Sequence, residues 1–246
     1  MPHHTMLNNV AHKDLRVSNR FGGEFGHNVG TVVTFPTEYE DMQREYAIFF
    51  RKDQASGEYS SVALLGFNPG ENLYLEGGHW DAEYLPGMIA RGPFLIGFQE
   101  QDRDGERSKE AVLHIDLDDP RVGESDGVPL FLPHGGNSAY LDQVAGVLRG
   151  IRDGIESSKA MFAAFVAADL LEPVDLQVKV NAEEAYRIVG LHTINQQKLD
   201  ALKGDALDAL HRSGFLRGAI LVASSMGNIR RLIRFKQRRR VQQPST

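Results

Sequence analysis

His114 and Asp116 stand two apart in the stretch EAVLHID, residues 110–116, whose apolar content predicts a strand. Positions two apart on a strand face the same side. A His-x-Asp pair joined by a distant histidine is the metal triad of non-haem iron oxygenases of the 2-oxoglutarate type. His192 is the third ligand such a site would draw on, with His134 and His211 as other candidates and Arg217 as a holder for an acid cosubstrate. A barrel of that kind needs more strands than the sequence supplies after residue 135.

Other chemistries find less support. With no cysteine, the chain has no disulfide, thiolate zinc site, iron–sulfur cluster or thiol nucleophile. Both glycine-rich phosphate loops, Gly-x-Gly-x-x-Gly and Gly-x4-Gly-Lys-Ser/Thr, are absent. Asp118, Asp119, Glu124 and Asp126 miss the calcium-loop spacing. The sequence calls for no cofactor and leans away from catalysis.

Trp80, Tyr84 and Phe94 read first as core aromatics, and a ligand wall built around them is the sharper alternative, ahead of the metal triad. Residues 62–98 hold the only tryptophan among large apolar side chains broken by glycines. Trp80, Tyr84 and Met88 fall four apart, so on a helix they would share a face, although Pro86 shortens any such helix. His79, Trp80, Tyr84, Arg91 and Phe94 combine apolar bodies with polar tips, the chemistry of a binding pocket.

Hairpins and helices must position these groups. The runs 46–50 and 59–67 predict a hairpin around the polar loop 52–58, and Gly66 suggests a close backbone approach. Residues 94–98 return as a strand, and 99–109 read as a charged loop. Asn137 or Ser138 caps a helix through Ile155, carrying Gly146, Gly150 and Gly154 as a packing groove. Ser157 or Ser158 starts a second helix, stopped by Pro173. Residues 174–180 and 185–191 predict another hairpin, followed by short helices capped at Asn195 and Asp205 and a helix over 217–235.

The expected fold is α+β, antiparallel hairpins with central and C-terminal helices. Residues 1–30 read as an extended arm, 31–236 as one compact domain and 237–246 as a basic flexible tail. The two hairpin units echo each other, which suggests pseudo-equivalent halves, 31–135 and 173–236, bridged by helices over 138–171.

Lys+Arg number 27 against 33 Asp+Glu, and seven of the basic groups lie between Arg230 and Arg240. The body is therefore strongly acidic and would repel phosphates, which makes nucleic acid a poor partner. A basic tail of this kind can pair with the body itself or with an acidic partner. No apolar run is long enough to span a membrane, and the N-terminus lacks an apolar signal core, so a cytoplasmic address is expected. Assembly as a homodimer is the commonest default.

The stretch VALLGFNPGENLYLEGGHWDAEYLP, then RGPFLIGF, resembles the signature region of the SapC family of bacterial proteins. HKDLR at 12–16, EYAIFF at 45–50, PLF at 129–131, GLHTIN at 190–195 and residues 224–231 fit the same family. The likeness runs from about residue 7 to 235. It implies a protein of unassigned molecular activity whose genes often neighbour flavin-dependent halogenases and TonB-dependent receptors. A halogenase or other neighbouring-gene product is thus an implied partner, and the family name implies a surface-layer structural role as a further alternative. No catalytic residues come with the resemblance, and a permease role conflicts with the hydropathy.

Overall fold

The computed structural model describes residues 3–103 and 106–242, the side chains of 98–110 and 242 excepted. In chain order the strands are β1 (His4–Met6), β2 (Arg16–Val17), β3 (Thr31–Thr34), β4 (Ala47–Lys52), β5 (Tyr59–Leu64), β6 (Leu75–Glu76), β7 (His79–Trp80), β8 (Phe94–Arg103), β9 (Glu106–Asp116), β10 (Val122–Gly123), β11 (Val128–Pro129), β12 (Leu171–Lys179) and β13 (Ala185–Ile194). The helices are α1 (Tyr39–Met42), α2 (Gly87–Ala90), α3 (Ala139–Ala167), α4 (Gln196–Asp200), α5 (Gly204–Arg212), α6 (Phe215–Ser225) and α7 (Ile229–Gln242). The fold is α+β, as the sequence predicts. Among the described residues no helix is long and apolar enough to cross a membrane.

A five-stranded antiparallel sheet, ordered β12-β13-β4-β5-β3, forms the centre. Both predicted hairpins lie in it side by side, joined where His192 faces Phe50 and Leu191 faces Arg51. Pro173 does not stop a helix but sits inside β12, opposite His192. That strand is at the sheet edge, where the missing N–H costs no ladder bond. Gly66 makes the close approach expected of it, since a Cβ there would overlap the Glu71 carbonyl.

The second sheet is β1-β9-β8, and β8 and β9 pair continuously from Phe94↔Ile115 to Arg103↔Glu106. Residues expected as a charged loop are therefore mostly strand. The N-terminal arm is tied down at two points, β1 along β9 and β2 between β10 and β11.

Two helices were expected over 138–171, and α3 is a single helix of 29 residues. Ser138 caps it, its Oγ accepting from the Leu141 N–H at 3.2 Å. Ser157 and Ser158 do not start a new helix. Their hydroxyls bond back to the Gly154 carbonyl at 3.1 and 2.7 Å, which satisfies them within the helix. At 1.5 Å per residue α3 is about 43 Å long, and it serves two cores. Leu141, Val144, Leu148 and Ile151 join Val17, Phe94, Ile115 and Leu130 in the smaller one. Met161, Phe162 and Phe165 join Phe49, Phe50, Tyr74, Val222 and Leu232 in the larger one.

Candidate functional site

Trp80 is not helical. It lies in the ribbon β6–β7, whose two-residue turn is Gly77-Gly78 with φ of 58° and 81°. Glycine takes such angles without steric cost. Trp80 and Tyr84 therefore do not meet along a helix face; Tyr46 brings them together. The Trp80 Nε1–H donates to Tyr46 Oη at 2.7 Å, and the Tyr46 hydroxyl donates to the Tyr84 carbonyl at 2.6 Å. The Tyr84 hydroxyl donates to Glu38 Oε1 at 2.8 Å, which also accepts the Gly87 N–H at 2.6 Å. Thr34 Oγ1 donates to the other Glu38 oxygen at 3.1 Å. Glu45 accepts the Tyr84 N–H at 2.9 Å and meets Arg231 at 3.0 Å. Burial pushes the hydroxyl pKa of Tyr46, Tyr74 and Tyr84 far above the ordinary range. The polar tips of Trp80 and Tyr84 are thus engaged within the protein, while His79 is exposed.

Helix α7 closes over this cluster. Phe235 stands edge-on to Tyr74 at 5.3 Å, with Arg231 over both rings. Arg238 pairs with Glu76 at 2.8 Å and Asp81 at 2.6 Å. Arg239 donates to the Asn72 carbonyl at 2.7 Å and to that of Leu75. Lys236 meets Glu71 at 2.5 Å, and Arg240 meets Glu184 at 2.9 Å. Residues 237–242, expected as part of a flexible tail over 237–246, are helical, and Arg238, Arg239 and Arg240 bond to the body; 243–246 lie outside the described residues.

Arg91 and Phe94 belong to a different neighbourhood. Phe94 is fully buried and packs edge-on against Tyr140 at 6.2 Å. Arg91 donates from Nη1 to the Phe94 carbonyl at 2.8 Å, and its Nε is buried without a partner among the described residues. Arg121 forks onto Asp119, Nε–Oδ1 2.8 Å and Nη2–Oδ2 2.6 Å, and comes within 3.5 Å of His27 Nε2. Burial, aided by Arg121, lowers the pKa of both His27 and Arg91. Despite its burial, Asp119 is held below the usual carboxylate range by its bonds to Arg121.

His114 and Asp116 share β9, as the spacing predicts, but His192 lies on β13 in the other sheet. Asp116 accepts the His3 N–H at 2.9 Å and the Asp118 N–H at 3.2 Å. His192 stands edge-on to Tyr59 at 5.3 Å, its Nδ1 buried and unpartnered among the described residues. Among those residues no group of three or more His, Asp or Glu is arranged to hold a metal ion.

A groove of about 660 Å³ opens between β5 and α3. Its walls are Val33, Phe35, Tyr59, Ile155, Phe162 and Val166, with Lys52, Lys159, Ser60 and Ser158 along them. Tyr59 stacks on Phe162 at 5.7 Å, with the Lys52 ammonium over its ring. None of the five residues expected to wall a pocket lines it. Sequence reasoning missed it because its sides come from residues about 100 apart. In the sequence Ile155 and Val166, 11 apart on α3, are only two more apolar residues of a helix.

The chain matches the SapC family over residues 7–232 of its 246 and belongs to that family. No curated protein and no solved structure shows a match.

Proposed function

We propose that this SapC-family chain is an accessory binding protein without catalysis, and that its ligand lies in the groove between β5 and α3. One observation carries the reading: apolar side chains stay open to water along a hollow of about 660 Å³, a volume within the range of small-molecule sites. Ile155 and Val166 are each 56% exposed, and Val33 is 39% exposed, all on its walls. Apolar walls that run along α3 from Ile155 to Val166 suit an elongated apolar body. Lys52 and Lys159 outnumber Glu58, which suits an acidic end on that body.

The test is titration of the full chain with a dansyl-labelled medium-chain fatty acid. Saturable binding of one probe per chain is expected, weakened about tenfold by Ile155→Glu, because a buried unpaired charge costs at least that much. Lys159→Ala should weaken it less. Ile155 is exposed, so the first variant spares the fold. Absence of saturable binding, or binding indifferent to Ile155→Glu, overturns the reading. So does a concentration-dependent dimer abolished by Val166→Glu, which would make the groove a contact between copies. A protein partner such as a halogenase, captured in the groove in place of the probe, would also displace it.

A further inference from the structure

Where the N-terminal arm, the turn after α2, the loop after β9 and the start of α3 meet, hydrogen-bond donors gather: His27 Nε2 lies 3.5 Å from Arg121 Nη1, and Arg91, next to Gly92, adds a buried Nε. His27 is 4% exposed. Its Nδ1 accepts the Gly22 N–H at 3.2 Å, so Nδ1 carries no proton and the neutral ring holds its proton on Nε2. That Nε2–H looks at Arg121 Nη1, 3.5 Å away, which has only protons to offer. Two donors at that separation make no hydrogen bond; both need an oxygen beside them. Arg91 adds a third donor, its buried Nε without a partner among the described residues. Gly92, with φ of 55°, leaves a gap at this point. A methyl group on it would lie 3.8 Å from Arg121 Nη1 and 3.8 Å from Tyr140 Oη, with no other described atom within 4 Å apart from those of its chain neighbours Arg91 and Pro93.

The charges are unbalanced as well. Arg91 and Arg121 face one carboxylate, Asp119, and Asp119 is occupied by the fork to Arg121. Side-chain exposures of 11% for Arg121 and 16% for Asp119 leave little solvent to screen the difference. Glu24 also acts on His27, but it is exposed and screened by solvent.

We infer that this junction is an anion site, built to take one carboxylate group between Arg121 Nη1, His27 Nε2 and Arg91 Nε beside Gly92. A carboxylate supplies two acceptor oxygens and the single negative charge the cluster lacks. A phosphate dianion would overshoot that charge. Burial, with the charge of Arg121 adding to it, makes Arg91 and His27 less basic, and a bound carboxylate would oppose both effects. The site is separate from the groove between β5 and α3 and stands without it.

The experiment is titration of the full chain with acetate, phosphate and chloride at constant ionic strength, followed by histidine-ring 15N resonances. His27→Gln assigns the signal. Saturable movement of the His27 Nε2 resonance by acetate is expected, with phosphate weaker and chloride inert. Arg91→Gln should weaken acetate about tenfold, the worth of one charge-assisted bond. Gly92→Ala, which puts a methyl group in the gap, should weaken it too. Tyr140→Phe keeps the ring on Phe94 and serves as a variant in which the fold is spared. No saturable shift overturns the inference. The same follows if phosphate binds more tightly than acetate, or if acetate binds Arg91→Gln as well as it binds the unaltered chain.

Discussion

Glu38 shows how few groups fix the heart of the molecule. Its carboxylate, 6% exposed, takes bonds from Thr34, Tyr84 and Gly87. Glu38→Gln turns one acceptor oxygen into a donor facing donors, which should cost about 1–3 kcal/mol in a denaturant midpoint. Trp80→Phe keeps an aromatic ring near Phe21 and Tyr74 but loses the bond to Tyr46 and part of the indole's packing. A loss of about 1–3 kcal/mol is expected there. The tyrosines add a pH dependence. Tyr39, Tyr46, Tyr74 and Tyr84 all have their hydroxyl pKa raised, chiefly by burial. An unfolded tyrosine ionises near 10, so the folded state holds these protons longer than the unfolded one. Their stabilisation is complete below about pH 10 and is lost as pH climbs toward the folded values. Tyrosinate absorbance should therefore rise together with unfolding, not before it. At this scale Trp80, Tyr84 and Phe94 were legible as large aromatics amid apolar neighbours. The sequence hid Tyr46 and Arg121, because nothing local marks a contact 34 or 94 residues away.

At the level of elements, α3 offers a sharp comparison. Gly146, Gly150 and Gly154 form one stripe in sequence, yet only Gly154 is crowded, its missing Cβ leaving room for Phe35 and Thr37. Gly154→Ala should destabilise by about 1–3 kcal/mol through overpacking. Gly150→Ala meets nothing within 4 Å and should stabilise by about 0.5–1 kcal/mol, because alanine favours helix. Equal effects of the two substitutions, read from thermal midpoints, would contradict this assignment. The stripe was readable and its single working member was not, since the crowding comes from a segment 119 residues earlier. Alternation and turn residues revealed both central hairpins. The join of Ser157–Ser158 into one helix was concealed, because the same hydroxyls that cap a helix also bond back inside one. The β6–β7 ribbon was concealed too: two-residue strands carry almost no periodicity, and the four-residue spacing of Trp80, Tyr84 and Met88 imitated a helix.

Across the whole molecule, charge asymmetry becomes internal architecture. The basic run on α7 meets Glu45, Glu71, Glu76, Asp81 and Glu184. These pairs are unequal. Arg238 and its partners are about two-fifths exposed, so Arg238→Ala should change stability by less than about 1 kcal/mol and matter less at high salt. Phe235, 8% exposed against Tyr74, should cost about 3–5 kcal/mol as Phe235→Ala. Removing 229–242 altogether should uncover Tyr74 and Leu73, bind a hydrophobic dye and blunt the unfolding transition in near-ultraviolet circular dichroism.

The pairing of β4 with β13 joins residues 50 and 51 to 191 and 192. A chain emerging from the ribosome thus carries β4 with one bare edge while about 140 further residues are made. During that interval the first hairpin is a template for any other extended strand, including that of a sister chain on the same message. A chaperone that shields Phe50 and Arg51 until β13 arrives would raise the yield of this protein without touching its finished stability.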